Sequence, residues 1–78
     1  MTAVRHFGHE VQVSNFSPID SDELIVEFRT RNDQGAIVEI LEVFRHEGSD
    51  ELFIRLIDET VSADLMKWAI EEATRRLA

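Results

Sequence analysis

The sequence predicts an α+β domain: a four-stranded antiparallel meander with one C-terminal helix packed across one face, in the order ββββα. Three observations carry this. Four segments have apolar residues at a period near two, the chain's last apolar segment instead follows the helical period, and Asn/Asp/Gly clusters of hairpin type separate the middle segments. With 78 residues there is room for one domain, spanning 1–78, and a chain this short buries only about 60% of its unfolded surface.

The first extended segment runs from about residue 4 to residue 15. Phe7, Val11 and Val13 share one side while Glu10, Gln12 and Ser14 take the other, the pattern of a half-buried edge strand. Gly8 inside it is read as a bulge. Turn chemistry closes the segment at Ser17-Pro18-Ile19-Asp20-Ser21-Asp22. The second strand, 23–30, places Leu24, Val26 and Phe28 on one face and Glu23, Glu27 and Arg29 on the other, with Ile25 as the exception. Asn32-Asp33-Gln34-Gly35 then has Asn/Asp early and Gly late, which fits a type I turn ending in a left-handed glycine.

The third segment, 36–44 (AIVEILEVF), also fits a helix, because Ile37, Ile40, Leu41 and Phe44 stand at helical spacing. Its β-branched content, the hairpin turn before it and the similar turn at Glu47-Gly48-Ser49-Asp50 decide for a strand. The fourth strand, 51–57, puts Leu52, Ile54 and Leu56 on one face and Phe53, Arg55 and Ile57 on the other. Ser62 is then placed as a helix N-cap, with Asp64 in the first turn and Arg75 and Arg76 in the last, all favourable to the helix dipole. Between them, Leu65, Met66, Ala69, Ile70, Ala73 and Leu77 fill one arc of the helical wheel, the expected core face. Trp68 projects beyond the Leu65 edge of that arc and is expected to be partly exposed.

One helix covers one sheet face, yet the third and fourth strands carry apolar residues on both. A solvated face should alternate cleanly, so the surplus points to a second molecule. The residues assigned to partner binding are Ile25, Ile37, Glu39, Leu41, Val43, Phe53 and Arg55 on this face and, separately on the helix, Trp68 as an amphipathic anchor, whose alternative role is to fold over the sheet edge and extend the core. Ile57, Glu23, Glu27, Arg29 and Arg45 complete the face, and charges of both signs suit a contact about a twofold axis. A bulge in the third strand would turn part of this set inward.

Sixteen acidic residues against eight Lys plus Arg give a net charge of −8, which repels phosphate backbones and argues against direct nucleic-acid binding. There is no cysteine, hence no disulfide framework or thiolate site. No apolar run approaches the roughly 20 residues of a membrane span and no export signal is visible, so a cytoplasmic, soluble protein without a membrane role is expected. His6 and His9 form an H-x-x-H spacing, but a metal would need a bulge at Gly8 and a third ligand such as Glu10; ordinary surface histidines account for them. Glu39 and Glu42, or Asp58 and Glu59, lack the nucleophile, phosphate loop or metal cage that would make them catalytic. The expectation is a non-enzymatic, cofactor-free protein-binding module: an acidic inhibitor, immunity-type or regulatory protein that covers a partner surface and forms a homodimer. A nucleic-acid mimic is its sharper form, with Glu23, Glu27, Asp33, Glu39 and Glu42 as the phosphate-like charges. The competing reading is a small-ligand-binding protein or enzyme subunit with a pocket between helix and sheet near Trp68.

Overall fold

The computed structural model describes the backbone of residues 2–6 and 9, and the whole of residues 10–58 and 60–78. The expected meander and helix are present, with one strand more at the N-terminus. The segment read as a single edge strand is two, β1 (Thr2–His6) and β2 (His9–Phe16), followed by β3 (Glu23–Arg31), β4 (Ile37–His46), β5 (Phe53–Leu56) and helix α1 (Ala63–Arg76). All strands pair antiparallel with their sequence neighbours in one sheet. His6 stands opposite His9 in the β1–β2 register; the bulge expected at Gly8 lies outside the described residues, as does Phe7.

Residues 36–44 settle as strand rather than helix because the turns on either side close locally. Asn32 accepts from Gln34 and Ala36 N–H through its side-chain oxygen, at 3.0 and 2.9 Å, and from Gly35 N–H through its carbonyl at 2.9 Å. Gly35 and Gly48 both have φ above +80°, a region costly for any residue with a Cβ. The fourth expected strand is shorter than predicted, and its chain leaves the sheet where Ile57 and Asp58 N–H both donate to Ile40 O.

Helix α1 starts at the expected cap: Ser62 has extended backbone and its hydroxyl accepts from Leu65 N–H at 3.1 Å. The helix crosses β3 and β4. Ala69 and Ala73, both fully buried, let its backbone approach the sheet above Val26, Phe28, Leu41 and Val43, with Val11 and Val13 of β2 closing the core. Its flanks differ from the wheel reading. Trp68, not Met66 or Ile70, packs against the core, its ring edge-on to Phe28 at 5.9 Å and 76°. A rigid ring that finds a ring partner buries more than a flexible thioether, so the contact arc is rotated toward Trp68. Arg45 ties down the helix end, donating from Nε to Leu77 O at 3.0 Å.

Candidate functional site

The second sheet face is uncovered by any element among the described residues, and its composition depends on one irregularity. Phe28 pairs with Leu41 but Arg29 pairs with Glu39, so Ile40 is an extra residue in β4. Such a bulge shifts the alternation by one. Before it, Ile37 and Glu39 face outward; after it, Glu42 and Phe44 do, while Ile40, Leu41 and Val43 turn under the helix.

Five of the eight expected partner-binding residues therefore lie on the open face: Ile25, Ile37, Glu39, Phe53 and Arg55. Leu41 and Val43 do not. Both are completely buried in the core and offer nothing to a partner. Arg45, expected on the open face, sits at the helix end instead. Trp68 belongs to the helix side and extends the core.

Across the open face run two rows set by the register. The first is apolar: Phe16, Ile25, Phe44 and Phe53 stand side by side on β2 to β5. Phe53 stacks on Phe44 at 5.5 Å, and the Arg55 guanidinium lies 4.3 Å above the Phe44 ring. This local cover reduces Phe44 to 8% exposure; Ile25, beside it in the row, is 3% exposed, while Phe53 and Phe16 remain about 40% exposed. The second row is Ser14, Glu27, Glu42 and Arg55, with Gln12, Arg29 and Glu39 beyond it. Arg29 pairs with Glu27 at 2.7 Å and Arg55 with Glu42 at 2.6 Å and Glu23 at 3.2 Å, so the two most buried carboxylates are neutralised.

Among the described residues, Glu39 has no such cation. Its Oε1 is enclosed and lacks a hydrogen-bond partner, and carboxylate oxygens of Glu27, Glu39 and Glu42 lie within 4.8 Å of one another. Burial, then the hydrogen bond and charge of Glu42, then those of Glu27, push the Glu39 carboxyl up to about 7. Three carboxylates at this spacing are the donor set of a hard cation, but the bonds from Arg29 and Arg55 already occupy two of them. A single proton satisfies the third at less cost. At the margin, His46 Nδ1 lies 2.8 Å from Asp22 Oδ1, a hydrogen bond that raises the histidine above its ordinary value.

Among the described residues, the edge strand β5 is the most exposed apolar element. Phe53, Ile54, Leu56 and Ile57 are between 38% and 50% exposed, and they lie on both faces because α1 does not reach this far. The signal for this was in the two-sided apolar pattern of residues 51–57. A cleft of about 410 Å³ lies at the start of α1 between Ile40, Val61, Leu65 and the Thr30, Thr60 and Ser62 hydroxyls; Trp68 does not line it. Among the described residues, no helix is long and apolar enough to cross a membrane. No protein-family model, no curated protein and no solved structure matches this chain.

Proposed function

We propose that the chain is a non-catalytic, cytoplasmic protein-binding module that self-associates through the open sheet face and the adjoining β5 edge. As an acidic regulatory or inhibitor-type protein, it would then present the rest of its surface to a target. The observation that carries this is the apolar group at β5, exposed on both sides of an edge strand and continuous with the Phe16–Phe53 row. An exposed apolar edge is a template for pairing that a lone domain ordinarily blunts.

Charge favours a second copy as the occupant. On the open face Glu10, Glu23, Glu27, Glu39 and Glu42 stand among Arg29, Arg31 and Arg55, which leaves most of the chain's net charge of −8 on the rest of the surface. Two copies meet there with less repulsion than through the remaining, more acidic surface.

Solution mass over a dilution series tests the reading, with Phe53→Glu as the variant. A concentration-dependent dimer that Phe53→Glu abolishes, with the helical circular dichroism unchanged, is expected. A chain that stays monomeric at high concentration refutes it.

A further inference from the structure

Two of the three clustered carboxylates on the open face have arginine partners among the described residues and the third has none there. Glu39 Oε1 is shielded from water by the side chains around it and meets no donor. The groups that face it are Glu27 and Arg29 from β3, Glu42 from its own strand, and Arg55 from β5; β2 contributes only the uncharged Gln12 and Ser14 at these register positions. Arg29, its register partner, is turned to Glu27 instead. A carboxylate in this position has one inexpensive way to be satisfied. With a proton it becomes a donor, and Glu42 and Glu27 are acceptors within reach.

Covering this face removes the water that remains around the cluster. Desolvation penalises the charged form, and a like charge beside it penalises it further, so a docked surface holds the proton more tightly than a free one. Ile37, two positions before Glu39 on the same side of β4, is more than a third exposed, so Glu39 is not remote from the surface in question.

We infer that Glu39, Glu27 and Glu42 form a proton-gated seat in the self-association surface, in which docking of a second copy takes up a proton at Glu39 and is weakened by its loss. This rests on the self-association reading above and names its regulation. Proton uptake coupled to binding changes the dissociation constant by up to about tenfold per pH unit for each proton taken up. The group already titrates near neutrality in the free chain, where its carboxyl is pushed up to about 7, so the effect falls between pH 6 and pH 8.

Sedimentation equilibrium of the intact chain at pH 6, 7 and 8 tests this, with Glu39→Gln as a mimic of the protonated form. The wild-type dissociation constant should rise at least tenfold from pH 6 to pH 8, while that of Glu39→Gln changes less than twofold. Both proteins carry the same three histidines, His46 among them raised by its hydrogen bond to Asp22, so a slope common to both belongs to these or to general repulsion. A dimer whose strength is independent of pH, or a Glu39→Gln slope equal to that of the wild type, overturns the gate and leaves self-association standing. A monomer at every pH overturns self-association and the gate with it. An NMR titration of the Glu39 carboxyl carbon reports the proton directly, and an ordinary glutamate midpoint overturns the proposal whatever the oligomeric state.

Discussion

Replacing Glu39 by glutamine should stabilise the isolated fold at alkaline pH, an unusual direction for the loss of a native charge. A carboxyl pushed from 4.5 to about 7 penalises its ionised form by about 1.4 kcal/mol for each tenfold change in proton affinity, on the order of 3 kcal/mol in all. The face is open to water, which screens the repulsion from Glu27 and Glu42, so we expect about 1–2 kcal/mol. The sign follows from proton binding. The folded chain holds a proton that the unfolded chain releases, so stability falls as pH rises from the ordinary carboxyl value through the folded one. The full cost applies above pH 7 and vanishes near pH 4.5. Glutamine keeps the shape of the protonated acid and donates N–H to the same two carboxylates, removing the penalty without opening a hole. Thermal melts at low micromolar concentration from pH 4.5 to 8.5 should show the variant more stable at pH 8, by roughly 4–8 °C per kcal/mol in a domain of this size. The two curves should converge toward pH 4.5. A gap constant across the range, or a wild type that is the more stable at pH 8, would refute the account of the cluster.

Leu41→Ala should cost about 2–5 kcal/mol in urea unfolding, because the side chain is wholly enclosed beneath the helix. Phe53→Ala should cost about 1 kcal/mol, the loss of a half-exposed ring stacked on Phe44; equal losses would contradict the bulge at Ile40. Ser62→Ala should lower stability by about 1 kcal/mol with the helix otherwise unchanged, measured by the same unfolding curves. Asp22→Asn should move the His46 titration, followed by ring-proton NMR, back toward its ordinary value. The wild-type contribution of that pair is present below about pH 6.5 and lost as pH rises through the raised value, so the variant should be less stable than the wild type mainly on the acidic side.

The elements that could be read from sequence are those whose signals are local. Ser62 caps the helix, Asn32 to Gly35 turns the chain, and Ala69 and Ala73 mark where helix and sheet come close, each through contacts within a few residues. What alternation could not locate is a single inserted residue. A slip of one exchanges the two faces of everything after it, and so Leu41, Val43 and Arg45 passed to the helix side while Phe44 passed outward. The available sign was that Glu39 and Glu42 stand three apart, a spacing no regular strand uses to keep two carboxylates on one face. The division of the first segment left a similar trace: Thr2 and Val4 register with Val13 and Val11, so residues sharing a row change from even to odd numbers across the connection. Trp68 is half-buried at the border of the helix arc, as expected, but the contact it makes there was not legible. Its ring partner Phe28 is 40 positions away in sequence, and no wheel contains it.

The charge pattern of the open face follows from what that face must do without a second layer. Phe44 would be wet there, and it is not, because Phe53 and Arg55 lie against it, while Ile25 is enclosed between Phe16 and Phe44 in the row. Arg55 therefore has two roles: it shields the Phe44 ring and it neutralises Glu42 and Glu23. Arg29 is likewise committed to Glu27. With both neighbouring guanidiniums spent on shielding and pairing, Glu39 is left to a proton, so its titration near neutrality is a consequence of how an uncovered apolar row is kept dry. A surface that docks here inherits that arrangement. It gains the rings at the β5 edge, it need not displace Arg55, and the one group it cannot cover without chemical change is Glu39.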